Sequence, residues 1–189
     1  FKPKQATTLL RSIHLQVGRT GTVTPVAELE PVLLAGSTIR RATLHNEDEI
    51  RKKDIREGDT VLIEKGGDVI PKVVSVIREK RPSGSTPFQM PPACPVCSHE
   101  LVRLQDEAAV RCENIRCPAQ VRRKIEHFSS RQGMNIDGLG EAVINTLVDE
   151  GLIEDYGDIY YLKKEDLAGL ERMGEKSADN LVRAIKKSK

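Results

Sequence analysis

Cys94-Pro-Val-Cys97 and Cys112-Glu-Asn-Ile-Arg-Cys117 hold every cysteine of the 189-residue chain, in the order Cys-x2-Cys, 14 residues, Cys-x4-Cys. Two thiolates two residues apart reach one tetrahedral ion from a single tight turn, and a second pair on the far strand of a hairpin closes the shell. Zinc is the ion this donor set fits best. The alternative, two disulfides, suits a secreted chain with a cysteine framework. Here no signal peptide, no bilayer-length apolar run and no further cysteine accompany the four. Pro95 and Pro118 predict rigid turns at both ends of the motif, away from the middle of a helix or strand. With all ligands from protein no coordination position stays open, so the ion is expected to hold structure and not to activate water. His99 follows Cys97 closely, but four cysteines already complete the shell.

Upstream of the motif, residues 1 to about 80 read as β. Thr60–Glu64 and Val69–Ile77 are dense in β-branched residues and flank Lys65-Gly-Gly-Asp68, a hairpin signal. Arg11 to Val17 alternates apolar and polar and runs into the turn Gly18-Arg-Thr-Gly21, and Gly58-Asp59 precedes a strand as at a barrel corner. A five-stranded barrel fits these elements. Arg81-Pro-Ser-Gly-Ser-Thr-Pro87, with Pro91-Pro92 after it, has too little apolar content to pack and reads as a linker. The expected division is a barrel over 1–82, a linker over 83–92, a four-cysteine module over 93–118 and a helical region over 119–189.

Downstream, Val121, Ile125 and Phe128 form a helical stripe over Ala119–Ser130. Ala142–Val148 predicts an amphipathic helix with Gly151 at its C-terminal cap, and Ala178–Ile185 predicts the last one, closed by Lys186 and Lys187. Leu162, Leu167 and Leu170 mark a short connection. A weak repeat runs through this region: Ile136-Asp-Gly-Leu-Gly140 and Leu170-Glu-Arg-Met-Gly174 each feed directly into a helix. Glycine there permits backbone N–H groups and a helix N-terminus to lie against a phosphate oxygen. Equally, glycine can simply separate two helices. Glu141 and Glu175 in the first helical turns oppose an anion, and Lys176 with Ser177 offsets them.

Composition bounds the rest. The chain is 38% hydrophobic and 31% charged, with 30 basic and 28 acidic residues giving a net charge of +2, so any nucleic-acid surface must be local. Three Phe, three Tyr and no Trp leave no segment a large aromatic core, favouring several small modules over one large one. The chain starts at Phe1 and reads as a piece of a longer protein.

The order of barrel, cysteine hairpin and paired helical turns carries a resemblance. Gln16-Val-Gly-Arg-Thr-Gly21, Thr24-Pro-Val-Ala27, Glu30-Pro-Val32, Ala42-Thr-Leu-His-Asn46, Gly66-Gly-Asp-Val-Ile-Pro71, Cys94-Pro-Val-Cys97, Asp137-Gly-Leu-Gly140 and Gly174-Glu-Lys-Ser-Ala178 resemble bacterial NAD-dependent DNA ligase over nearly the whole chain. The resemblance implies a multidomain α+β chain: an all-β OB-fold barrel, a four-cysteine zinc finger and an all-α helix-hairpin-helix domain. It implies an enzyme that moves AMP from NAD to a lysine, then to the 5′-phosphate of a nick, and seals the nick with the 3′-hydroxyl, with Mg2+ neutralising the phosphates. It implies nicked double-stranded DNA as a sequence-independent partner, no membrane, a monomer, and a bacterial cytoplasmic, nucleoid-associated location. The nucleophile motif Lys-x-Asp-Gly is absent from this chain, whose nearest string is Asn135-Ile-Asp-Gly138. No catalytic residue is therefore expected, and neither Lys2 nor Lys4 takes that place.

What the resemblance leaves is DNA contact. By motif it carries over to Arg19 and Thr20 on the first barrel turn, to Lys65, Val69 and Ile70 on the hairpin, and to Gly138, Gly140, Gly174 and Lys176 in the helical turns. Zinc at Cys94, Cys97, Cys112 and Cys117 is expected to join barrel to helices as a rigid joint. The competing reading is a non-catalytic nucleic-acid-binding module with a structural zinc, and a further one is a protein-binding scaffold. The few aromatics argue against a single-strand-binding barrel.

Overall fold

β1 (Lys4–Val17) is long enough to serve two neighbours, and that makes the barrel. In the computed structural model, which describes residues 4–65, 70–171 and 173–189, its first half pairs antiparallel with β4 (Thr60–Lys65), Lys4 opposite Lys65 and Leu9 opposite Thr60. Its second half pairs antiparallel with β2 (Thr22–Leu34), ending with Val17 opposite Val23. The change of partner falls at a bulge between Leu10 and Ser12, which bends the strand around a barrel corner. Gly58 and Asp59 hold that bulge: the Gly58 N–H donates to the Leu10 carbonyl and the Leu10 N–H to the Asp59 carbonyl, each at 2.8 Å. Gly58 has φ +87°, which favours glycine, and a Cβ there would stand 3.1 Å from Pro82 Cγ, a tight contact.

β2 continues through the Ala35-Gly36 turn, both residues at positive φ, into β3 (Ser37–Thr43). β3 meets β5 (Lys72–Val76) in parallel, Thr43 opposite Lys72, and β5 returns antiparallel to β4. The closed order β1-β2-β3-β5-β4 leaves these five strands without a free edge among themselves. Alternate residues of β2, Val23, Pro25, Ala27 and Leu29, point inward, as the pleat requires. The core is aliphatic: Leu10, Ala27, Leu29, Leu34, Ile39, Leu44, Ile55, Val61, Ile63 and Val73 are all buried.

The β reading of the first 80 residues misses a helix, α1 (Glu47–Lys53), between β3 and β4. Its signals are local. Asn46 Oδ1 accepts from Glu49 N–H at 2.9 Å, acidic residues fill the first turn, basic residues fill the last, and Asp54 closes it at φ 50°. Ile50 turns inward and is 2% exposed, so the helix joins the barrel core.

The segment read as a linker is bound to the barrel. Arg81 pairs with Asp54 and Asp59, Arg56 Nη1 donates to the Ser85 carbonyl at 2.9 Å, and Phe88 packs against the barrel core. Polar anchoring, which hydropathy does not register, supplies contacts that apolar content does not predict. β6 (Leu101–Arg103) and β7 (Val110–Cys112) then form a short hairpin. β7 adds to β2 with Thr22 opposite Arg111 and Val23 opposite Val110. The structure divides into two compact units, residues 1–17 with 22–113, and 114–189 with the turn 18–21.

In the second unit α2 (Pro118–Ser129), α3 (Glu141–Asp149), α4 (Lys164–Ala168) and α5 (Glu175–Lys187) bury Ile125, Ile136, Leu139, Ile144, Leu147, Ile153, Ile159, Leu167, Ala178, Leu181 and Ile185 together. Pro118 opens α2 at the position where its missing N–H costs nothing. Gly133 closes the turn after α2. A Cβ there would lie 2.3 Å from the Phe128 carbonyl oxygen, so only glycine fits. Gly151 follows α3 at φ 68° and donates to the Val148 carbonyl, as the cap reading predicts. Leu162 and Leu170 flank α4 and Leu167 is its buried residue; the spacing of the three does not announce this helix.

Candidate metal centre and nucleic-acid interface

The four sulfurs converge. Ligand atoms of Cys94, Cys97, Cys112 and Cys117 all lie within 4.8 Å of one another, and no His, Asp or Glu joins them among the described residues. Cys97 Sγ and Cys112 Sγ are 3.5 Å apart, too far for a disulfide and close to the edge, about 3.8 Å, of a tetrahedron with zinc–sulfur bonds of about 2.3 Å. Cys94, Cys112 and Cys117 are buried and Cys97 is half-buried. Four soft donors brought this close fit zinc, and bound zinc would supply a cross-link between the two halves of the motif.

Each half is a turn that presents its cysteines. The Ser98 N–H donates to the Cys94 carbonyl at 3.0 Å, the Cys94 N–H to the His99 carbonyl at 2.8 Å, and Ser98 takes φ 58°. That knuckle folds Cys94 and Cys97 to one side. His99 contributes its carbonyl only, and its side chain is exposed. In the second half Asn114 builds the turn: its Oδ1 accepts from Arg116 N–H at 3.0 Å and its carbonyl from Cys117 N–H at 2.9 Å. Gln120, 4% exposed, donates to the same carbonyl. Cys112 is the last residue of β7 and Cys117 the N-cap of α2, so both ligands of this half stand at element ends, as the prolines and spacing predict.

Of the barrel's candidate contacts, Arg19 and Thr20 follow the last residue of β1 and Lys65 pairs with its first. Arg19 and Thr20 are the exposed middle of a turn closed by Gly21 N–H to the Gly18 carbonyl at 3.0 Å, with Gly21 at φ 83°. Lys65 lies opposite Lys4, half-buried, its Nζ 3.4 Å from Ser37 Oγ. Ile70 is 72% exposed and does not fill the barrel. Val69 lies outside the described residues.

The two helical turns share one backbone pattern. The Leu139 N–H donates to the Ile136 carbonyl and the Met173 N–H to the Leu170 carbonyl. Gly140 then accepts from Ile144 N–H, and Gly174 from Ala178 N–H, each at 3.0 Å. Gly140 and Gly174 are N-caps of α3 and α5, with extended backbone at φ −87° and −74° that any residue adopts, and a Cβ on either meets nothing within 4 Å. Neither conformation nor packing inside the chain demands glycine there. Gly138 differs: its φ of +87° accounts for its identity locally. Lys176 is exposed in the first turn of α5.

Sequence reasoning missed one charged cluster. Asp59, fully buried, accepts from Arg81 Nε at 2.8 Å and Nη2 at 2.9 Å and from Arg56 N–H at 2.8 Å. Arg81 also reaches the Asp54 carboxylate at 2.6 Å and its carbonyl. Hydrogen bonds from Arg81, and then from Arg56, hold the Asp54 carboxyl below the usual carboxylate range, and the paired carboxylates raise the Arg81 guanidinium further. The only advance signal is charge of both signs around Gly58.

The sequence profile of the NAD-dependent DNA ligase OB-fold domain matches residues 7–85, and that of the NAD-dependent DNA ligase C4 zinc finger domain matches residues 93–119. Proteins named DNA ligase from Clostridioides difficile, Halothermothrix orenii and Bacillus anthracis are 58%, 59% and 57% identical to the chain over its whole length. The chain spans 28% of the length of each of these curated relatives. With a closed five-stranded barrel and a convergent four-cysteine finger in the matching order, the chain belongs to the NAD-dependent DNA ligase family.

Proposed function

We propose that the chain is the DNA-clamping portion of an NAD-dependent DNA ligase, which seals single-strand nicks in duplex DNA through enzyme-AMP and DNA-AMP intermediates. The observation that carries this reading is the pair of N-cap glycines, Gly140 and Gly174, for which nothing inside the chain gives a reason. A close external backbone does give one. In the repeated turns, a helix-hairpin-helix arrangement, the N–H groups opening α3 and α5 meet phosphate oxygens that a side chain would hold off. Gly138 shapes the first of these turns, and Lys176 adds charge beside the second.

On the barrel, Arg19 and Lys65 neutralise phosphates, Thr20 donates a hydroxyl, and Ile70 with Val69 presses on sugar and base edges at the nick. Zinc on the four cysteines is structural. Such contacts read no base sequence, so affinity rests on phosphate charge. Duplex binding measured against salt should fall linearly in log-log form, and a flat line would remove this reading in favour of a protein-binding scaffold.

Chemistry belongs to the parent enzyme, with NAD as AMP donor and Mg2+ on the phosphates. The chain holds no Lys-x-Asp-Gly, so by itself it should take up no AMP from NAD and Mg2+. Intact mass after incubation tests this, and a covalent adenylate on the chain would refute it.

A further inference from the structure

We infer that residues 81–92 are a strap that fixes how the zinc finger leaves the barrel, and that Arg81 is the positioning residue that holds the strap down. As a free coil, a stretch of about ten residues has an end-to-end spread of roughly 16 to 19 Å, which would leave the finger without a defined direction. The structure removes that freedom at successive points. Arg81 forks onto both oxygens of Asp59 and also bonds Asp54. Pro82 stands against Gly58, and the Ser85 carbonyl accepts from Arg56. Phe88 packs on the barrel core, and the Met90 N–H points at Glu47 Oε1, 3.4 Å away. The Pro92 carbonyl then accepts from Leu101 N–H at 2.9 Å, inside the finger itself.

Two other attachments tie the finger's β6–β7 hairpin to the barrel, and both are weaker. β7 shares only two residue pairs with β2. Arg103 bonds both oxygens of Asp48 and lies 3.8 Å from Glu47, but Arg103 and Asp48 are 38% and 42% exposed, where water and salt screen the attraction. By contrast the Arg81 and Asp59 side chains are 15% and 0% exposed. A planar fork on a desolvated carboxylate fixes direction as well as distance. Glu47 gathers the far end, facing Met90, Arg103 and Arg51 at once. The barrel helix α1 therefore receives the strap at its end, while the buried fork receives it at its start.

The consequence for DNA rests on the clamp reading given above; the strap itself does not. In the intact ligase, three variants separate position from stability. R81M strands the buried Asp59 charge and lowers barrel stability. D59N/R81M removes that charge and recovers barrel stability without restoring the fork. R81K keeps a cation but loses the fork.

Chymotryptic cleavage after Phe88, whose side chain packs on the barrel core, should quicken about tenfold or more in D59N/R81M while amide exchange of the barrel strands stays slow. Zinc content should remain unchanged and R81K should fall between. The KM for nicked duplex should rise roughly fivefold, with kcat within about twofold of wild type. A wild-type rate of cleavage at Phe88 in D59N/R81M would overturn the strap. A loosened strap with an unchanged KM would overturn the positioning role while leaving the clamp intact. If the unaltered protein shows no salt-dependent duplex affinity, the clamp reading falls and the cleavage result alone decides the strap.

Discussion

Glycines at three positions in the helical unit look alike in sequence and differ in cause. Gly133 answers to a backbone oxygen 2.3 Å from where its Cβ would be, so G133A should cost about 2 to 3 kcal/mol in chemical denaturation. Gly140 and Gly174 have open space in place of a Cβ, so G140A/G174A should cost no more than about 1 kcal/mol per site. If a phosphate is what they admit, the same double variant should bind nicked duplex roughly tenfold more weakly, and unchanged affinity would return them to ordinary helix caps. Asp54 makes a pH prediction. Its folded-state carboxyl is held low by Arg81 and Arg56, so the stability it adds is complete above the usual aspartate range. That stability drains away as pH falls below about 4 toward the lowered folded value. Acid titration of D54N should show a smaller loss across that window than wild type. The aspartate and both arginines are plain in the chain, and Asp54 and Arg56 are near neighbours there, but their meeting with Arg81 is not, because it lies 27 residues beyond Asp54.

The finger is the element whose stability is least its own. Its hairpin strands are three residues each, and a two-stranded ribbon that short is not stable alone. Zinc in finger peptides contributes roughly 10 to 16 kcal/mol, which exceeds what so small a module has to lose. Chelation should therefore unfold residues 93–118, seen as a changed circular dichroism spectrum, and weaken duplex binding. An unaltered spectrum and affinity after verified metal loss would contradict this. The barrel encloses its own aliphatic core, and its strand amides should stay protected. On the β4–β5 hairpin, Ile70 is 72% exposed. I70D should leave barrel stability within about 0.5 kcal/mol while reducing affinity for nicked duplex, and an equal affinity would mark Ile70 as mere surface. Strands with alternating or β-branched runs, helices with apolar stripes and the cysteine turns were legible because each is a local pattern. α1 was obscured because seven residues carry only one inward side chain, Ile50, and so no stripe.

At the scale of the whole molecule, a net charge of +2 excludes binding by bulk attraction, so any affinity for duplex must come from a few placed groups. No helix among the described residues is long and apolar enough to cross a membrane. Composition, cysteine spacing and the repeated glycine turns determined from sequence alone that a β region, a four-sulfur site and a helical region follow one another, and residue strings determined the family. These are properties of neighbours along the chain, where spacing sets which side chains share a face or a turn. Only the tertiary structure decided that β1 serves two strands and closes the barrel, that the polar stretch after β5 is bound and not free, and which glycines the fold itself demands. The first two depend on groups far apart in sequence coming within a few ångströms, Leu10 against Gly58 and Asp59 and Arg81 against Asp59. The third depends on how the folded backbone passes each glycine, as where the chain after α2 doubles back and sets Gly133 against the Phe128 carbonyl. Hydrogen bonds and ion pairs act over that distance alone, so no reading of local pattern could rank them before the chain was folded.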